Sequence, residues 1–470
     1  MQSRAGFTVK KHRFRVLTVI CASILAFSVA GATIAASRIQ WFNPHGQAEI
    51  DPSVLQSLQP EFDRLGHGLV AASDELTSPP LNAQAIEQII NAHRPSDSAR
   101  YAMAISSIDS DSLIYGNDAE TPMTPASTMK IITAIAAIHQ LGADHRLSTT
   151  TALNDNGDLI LVGGGDPLLA SSAEAYPWRD YVQVSNMDDL ADSTVRSLNE
   201  RSIARVTLGY DSSAFGSQMW HPDWDPLDRV FVAPISSLSV DEGAGANGLD
   251  DPAIKACEIF AQKLRDRGIE VHLGGAMSSA GATTIAEISS ARIGVLVQEM
   301  LFHSDNYIAD MLYRLVASAR GKEPTFEGGA HSVQEICEEL GIWDERAVLV
   351  DGSGLSTNNR LTAAMLTRAI RHILENKSLR FVAEAMPTSA STGTLRSRFA
   401  AEDAQQGRGD IRAKTGSLSN VSSLAGYLVT NDHAVIVFAL IVNDFPDSSD
   451  PRSWLDRVSA ELAGCHCAQG

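Results

Sequence analysis

The stretch TPASTMKIITAIAAIHQLG (124–142) decides how this chain is read. From Ser127 onward it is apolar on most faces, and Gly142 supplies a C-terminal stop, so the pattern predicts a helix of a domain interior. Ser127 and Lys130 occupy its first turn. Spaced three apart they share one helix face, with Cβ atoms about 5–6 Å apart, so the lysine reaches the serine hydroxyl. At a helix N-terminus the unpaired N–H groups and the positive dipole end favour an oxyanion beside that serine. A lysine serves as a base only where burial or a neighbouring cation destabilises its ammonium. Alone, S-x-x-K is weak and reads more readily as a capping serine with a surface lysine, so its meaning depends on the rest of the chain.

Upstream, AQAIEQIINAH (83–93) has helical spacing, and ARYAMAISSID with LIYGNDA reads as two strands around the polar turn Asp109-Ser110-Asp111-Ser112. Downstream, from about 145 to 288, the texture turns Gly-, Asp- and Ser-rich, with short strands (DLILVGGG, ARVTLGYD, IEVHLGG) and one clear helix at 252–267. Helical texture returns in ARIGVLVQEMLFH, SDNYIADMLYRLVAS, SVQEICEEL and TAAMLTRAIRHIL. The last hundred residues give IRAKTG, SLAGYLV and HAVIVFALIV, the final pair joined by Thr430-Asn431-Asp432-His433, and then the helix SWLDRVSAELAG. The expected fold class is α/β (α+β): an antiparallel sheet flanked by helices, with a β-rich domain inserted after the helix of Ser127. Residues 83–145 and 289–464 would form the main domain and 146–288 the insertion. A Pro-containing linker would precede it at 37–82, and 465–470 would be a tail.

Two further short motifs follow in order. Ser304-Asp305-Asn306 lies at a break between two apolar helices, where a hydroxyl and an amide would be held rigidly. The same S-x-N triplet at Ser197–Asn199 and Ser356–Asn358 lacks that setting, and a plain N-cap serine also accounts for Ser304. Lys414-Thr415-Gly416-Ser417 lies on an expected strand. Its backbone can pair with a peptide laid alongside, its glycine admits that peptide closely, and its lysine and hydroxyls suit a carboxylate.

The chain has 470 residues, 37 Lys+Arg against 56 Asp+Glu, and a formal charge of −19. Setting aside the six bases of residues 1–40 leaves 31 bases against 56 acids, a charge of −25. So acidic a body repels phosphate backbones, and no basic stripe interleaved with aromatics appears, which argues against a nucleic-acid partner. The six bases flank residues 16–36 (VLTVICASILAFSVAGATIAA), an uncharged run. Its length of about 20 residues suits a membrane anchor with its basic end in the cytoplasm, and Ala30-Gly31-Ala32 suits a cleaved signal peptide. Either way the bulk of the chain is exported. Cys465-His466-Cys467 reads as a disordered tail or a disulfide rather than a metal site, and four exported cysteines permit two bridges. Gly243-Ala-Gly245-Ala-Asn-Gly248 matches G-x-G-x-x-G without a βαβ series, and Gly163-Gly164-Gly165-Asp166-Pro167 lacks the Gly-Lys-Ser/Thr of a phosphate loop. Neither G-x-S-x-G nor H-E-x-x-H occurs.

S-x-x-K, S-x-N and K-T-G in this order resemble the signature of the serine penicillin-recognising enzymes. LILVGGGDPLL (159–169), WDPLDRVFVAPISSLSVDEG (224–243), SDNYIADMLYRL and DGSGLSTNN extend the resemblance to the class C low-molecular-mass penicillin-binding proteins, the D-alanyl-D-alanine carboxypeptidase/endopeptidase group. It spans about residues 83–464, and the insertion looks shorter than in the longest members of that group. The resemblance implies that Ser127 attacks the penultimate D-alanine carbonyl while Lys130 takes its proton. Ser304 would relay a proton to the leaving amine, and Asn306 would hold Lys130 and the substrate amide. Lys414 with Thr415, Gly416 and Ser417 would bind the terminal carboxylate, and the Ser127 and Ser417 N–H groups would form the oxyanion hole. It implies no metal or cofactor, peptidoglycan stem peptides as substrate and β-lactams as covalent inhibitors. A β-lactamase and a non-catalytic wall-binding protein of the same fold are the rival readings.

Overall fold

The computed structural model describes residues 78–93, 99–110, 112–176, 182–243, 251–446 and 450–469. The signal or anchor at 16–36, most of the linker at 37–82 and residues 244–248 of the glycine triplet lie outside them. Among the described residues no helix is long and apolar enough to cross a membrane.

A helix α1 (Ala83–Ala92) leads into strands β1 (Arg100–Ser107) and β2 (Leu113–Asn117), and the central helix α2 (Met129–Leu141) follows. The chain returns to the same sheet at its end with β8 (Ile411–Leu418), β9 (Val421–Val429) and β10 (Val435–Asn443). The strand order is β2-β1-β10-β9-β8, antiparallel at every pair, with β9 and β10 paired from Val429↔Val435 across the expected turn. β10 reads VIVFALIVN because it is buried on both faces: Val437, Ala439 and Ile441 face one core, Ile436, Phe438, Leu440 and Val442 the other.

The first core is filled by α2 with α5 (Ile293–His303), α6 (Asn306–Ala319), α7 (Phe326–Glu339) and α8 (Ala363–Glu375). Every residue of α2 from Met129 to Ile138 is buried, which is why its sequence shows no polar face. Gly142 closes it at φ 82°, a left-handed conformation that glycine adopts without steric cost. A short α9 (Arg380–Glu384) follows α8, and the second core is closed by α1 and the terminal helix α10 (Pro451–Ala463), through Ile86, Ile90, Leu455, Val458 and Leu462.

Between α2 and α5 lies a second five-stranded sheet, built from β3 (Arg146–Leu153), β4 (Leu159–Val162), β5 (Arg205–Asp211), β6 (Glu270–Ala276) and β7 (Thr283–Arg292) in the order β6-β5-β4-β3-β7. β4, β5 and β6 run parallel, so each step needs a crossover, supplied by α3 (Met187–Glu200) and α4 (Pro252–Asp266). These helices share a core of their own with the sheet, including Leu190, Leu198, Phe260, Leu161 and Leu208. The stretch thus carries two helices where its texture pointed clearly to one, because α3 (MDDLADSTVRSLNE) is polar on its outer face and buries only a stripe. β7 runs four residues past 288, to Arg292.

Both ends of the fold extend further than expected. Leu81 is buried and bridges Ala468, Asn82 N donates to the Cys467 carbonyl and Ala468 N to Asp432 Oδ2, so 78–82 and the tail belong to the folded body. Cys465 and Cys467 form a disulfide, while Cys257 and Cys337 are buried and free, so of the two bridges the cysteine number allowed one is made. Among the described residues no group of three or more His, Cys, Asp or Glu is arranged to hold a metal ion.

Candidate active site

Ser127 sits in a short 3-10 turn (Ala126–Thr128) that runs directly into α2. The turn is strained, with Ala126 at φ 48°. It is tied down from two sides: Thr128 Oγ1 and Ser423 Oγ, the latter on β9, both donate to the Pro125 carbonyl at 2.7 Å. Thr124 N donates to Asn443 Oδ1 on β10 at 2.9 Å. The sheet and the turn bearing Ser127 are therefore tied together.

Lys130, in the first turn of α2, is fully buried. Its Nζ lies 3.0 Å from Ser127 Oγ, 2.7 Å from Asn306 Oδ1 and 2.6 Å from the Ser353 carbonyl oxygen. Burial lowers its pKa to about 8, against the pull of Asp310, Asp351 and Asp305, which favour the ammonium. Asn306 is fixed in turn, its Nδ2 donating to the Phe231 carbonyl of the second-sheet segment at 3.0 Å.

Ser304 is the left-handed residue (φ 60°) that ends α5, and the N-cap of α6 is Asp305, whose carboxylate accepts from Ile308 N at 3.0 Å. With Asp305 doing the capping, the Ser304 hydroxyl is available to accept from Lys414 Nζ at 2.8 Å. Lys414 is fully buried on β8, also donates to the Thr415 carbonyl at 2.9 Å, and has its pKa pushed well down by burial and then by Lys130. Thr415 and Ser417, half-buried, alternate to the other face of β8: Thr415 Oγ1 meets Thr394 Oγ1 at 2.8 Å and Ser417 Oγ accepts from Arg452 at 3.3 Å.

Gly416 has a packing reason besides the substrate approach its motif suggested. A Cβ there would stand 2.2 Å from Ser423 Oγ, 2.7 Å from the Pro125 carbonyl oxygen and 3.1 Å from Ala126 Cβ. Glycine is needed for β8 to lie against the turn bearing Ser127.

The three motifs thus form two hydrogen-bonded sets, Ser127–Lys130–Asn306 and Ser304–Lys414, whose two buried lysines lie close enough for one charge to act on the other. The other S-x-N triplets do not join these motifs: Ser197 Oγ donates to the Ile285 carbonyl, and Ser356 Oγ accepts from Asn358 N within its own loop. Motif reading missed the third acceptor of Lys130. Ser353 belongs to DGSGLS, a loop organised by buried Asp351, which accepts from Gly354 N, Ser356 N, Asn359 Nδ2 and Trp224 Nε1 at 2.6–2.9 Å. A serine beside a buried lysine, that lysine held by an amide, and a second buried lysine on a neighbouring strand suit acyl transfer through a serine ester.

Comparison with known proteins agrees with this geometry. A family model described as D-Ala-D-Ala carboxypeptidase 3 (S13) matches residues 82–250 and 246–462. Carboxypeptidase DacB of Mycolicibacterium smegmatis is 33% identical over 379 residues, covering 77% of this chain and 80% of that one. A D-alanyl-D-alanine carboxypeptidase of Actinomadura sp. is 26% identical, covering 74% and 78%. In fold, the crystal structure of penicillin binding protein 4 from Haemophilus influenzae superposes with a TM-score of 0.66 at 21% identity, over 81% of this chain and 98% of that one. With two thirds and more of the chain matched from β1 to α10, the chain belongs to the D-Ala-D-Ala carboxypeptidase 3 (S13) family.

Proposed function

We propose that the protein is a serine-type D-alanyl-D-alanine carboxypeptidase, with DD-endopeptidase action on the same chemistry, that cleaves peptidoglycan stem peptides through an acyl-enzyme on Ser127. The observation that carries this is Lys130 Nζ, buried, 3.0 Å from Ser127 Oγ and held by Asn306. Family membership and the carboxypeptidase relatives support the reaction class.

In this reading the neutral Lys130 amine takes the Ser127 proton as the oxygen attacks the penultimate D-alanine carbonyl, with the Ser127 and Ser417 N–H groups as oxyanion hole. Ser304 passes a proton to the departing amine, the C–N bond breaks, and free D-alanine leaves. Water then hydrolyses the ester and restores Ser127. The terminal carboxylate is bound by Lys414 with the Thr415 and Ser417 hydroxyls. Its negative charge favours the ammonium at Lys414, and that ammonium in turn favours the neutral amine at Lys130. The protein acts outside the cytoplasm, delivered by residues 16–36 as signal peptide or anchor. The second-sheet stretch is read as a domain inserted into the catalytic one.

Incubation with a reporter β-lactam, following intact mass and drug turnover, tests this. A stable adduct that is lost in Ser127→Ala is expected. Fast turnover indicates a β-lactamase, and absence of any adduct contradicts the acyl-enzyme.

A further inference from the structure

A neutral amine at Lys130 has two hydrogens and one lone pair. Asn306 Oδ1 at 2.7 Å and the Ser353 carbonyl at 2.6 Å accept the two hydrogens, which leaves the lone pair for the Ser127 hydroxyl at 3.0 Å. Asn306 is a side chain with its own anchor. The Ser353 carbonyl is backbone, and its position depends wholly on the path of residues 351–354.

That path is set by a residue outside all three motifs. Asp310 lies on α6 one turn beyond Asn306, is fully buried, and accepts with Oδ1 from Gly352 N at 2.8 Å and Ser353 N at 3.2 Å. Its Oδ2 has no hydrogen-bond partner among the described residues. A buried carboxylate oxygen left unpaired is costly, so space-filling alone does not account for an acid here. We propose that Asp310 is the positioning residue of the general base: by holding the Gly352 and Ser353 amides it sets the Ser353 carbonyl against Lys130 and so aims the amine lone pair at Ser127. This rests on the assignment of Lys130 as base.

Asp310 also shares a charge balance with that base. Burial and then Asp351 raise its pKa to about 8, against the Ser353 and Gly352 hydrogen bonds and Lys130. The charged groups around the pair are Asp351 of the 351–359 loop, Asp305 before α6, Arg314 further along α6 and Lys414 of β8. A negative Asp310 favours the lysine ammonium, so an uncharged group there makes the amine neutral at lower pH.

The test measures the acylation rate constant of the full chain by benzylpenicillin, from intact mass at timed quenches between about pH 6 and pH 10, with unfolding temperature and pre-covalent affinity recorded for each variant. Asp310→Ala frees the two amides and is expected to lower the limiting rate constant about 100-fold with pre-covalent affinity unchanged. Asp310→Asn keeps an acceptor, stays within about threefold of the unsubstituted rate, and moves the acid limb to lower pH. A folded Asp310→Ala that acylates at the unsubstituted rate overturns the proposal. Where Asp310→Ala does not fold, an Asp310→Asn limb that fails to move, or a rate loss above 10-fold in that variant, overturns it. No adduct on the unsubstituted protein instead refutes the assignment of Ser127 and Lys130 themselves.

Discussion

Replacing Gly416 by alanine tests whether the strand bearing Lys414 and the turn bearing Ser127 are one packed unit. The added Cβ would stand 2.2 Å from Ser423 Oγ, more than 1 Å inside ordinary van der Waals contact, and 2.7 Å from the Pro125 carbonyl oxygen. Ser423 cannot simply rotate away, because it is fully buried and its hydroxyl donates to that same carbonyl. Overpacking of this kind costs about 1–3 kcal/mol, and loss of the Ser423 hydrogen bond about 1 kcal/mol more. The strain falls on Pro125–Ala126, already at φ 48°, so Ser127 Oγ is displaced relative to Lys130 Nζ. A misplacement of about 1 Å at a reacting atom lowers rates about 100-fold. Gly416→Ala is therefore expected to acylate with a β-lactam about 100-fold more slowly and to unfold at lower temperature. Ser423→Ala, which removes only the hydrogen bond, should lose about 1 kcal/mol of stability and only a few-fold in rate. Timed intact-mass measurements on both variants decide the matter. A Gly416→Ala protein that acylates within threefold of the parent would show that the close approach places nothing of consequence.

The acid limb of kcat/KM for D-alanine release should reflect Lys130 near pH 8, since only the neutral amine is a base and burial lowers its pKa to about 8. About 100-fold less activity is then expected at pH 6. In kcat the limb should lie at lower pH, because the bound carboxylate holds Lys414 as an ammonium, and identical limbs in a pH-rate study would contradict that coupling. Trp224→Phe keeps a ring against Phe326 and removes the Nε1 donor to Asp351. It should cost about 1 kcal/mol in a denaturant titration and slow acylation a few-fold through the 351–359 loop, and an unchanged rate would place the loop outside the catalytic assembly.

What the sequence disclosed and what it hid divide along physical lines. Strand β10 and helix α2 were legible because burial on both faces, or on all sides, leaves apolar runs such as 435–442 and 131–138, the latter broken only by Thr133. Ser127, Lys130, Ser304, Asn306 and Lys414 were legible because they fall in short motifs of side chains, and side chains are what a motif records. The Ser353 acceptor was hidden because every residue has a carbonyl, and only the fold says which one lies 2.6 Å from an amine. Asp310 was hidden for a related reason, since its partners are two backbone amides forty-odd residues away. Ser304 shows the limit of local rules. Its position before a helix suggested a cap, but Asp305 takes that role, and the left-handed turn at Ser304 frees its hydroxyl for Lys414. Helix α3 was less plain than α4 because it buries only a single stripe, and the ends of the fold were misjudged where proline suggested a linker, because a short bridge such as Leu81↔Ala468 is enough to order a segment.

The central claim is that Ser127, activated by Lys130, carries the peptide as an acyl-enzyme. The most direct measurement is release of free D-alanine from a stem pentapeptide ending in D-Ala-D-Ala, by the protein and by its Ser127→Ala and Lys130→Ala variants. The account predicts D-alanine equimolar with the tetrapeptide from the unsubstituted protein and none above background from either variant. Release that survives Ser127→Ala, or its absence from a folded unsubstituted protein, would contradict it.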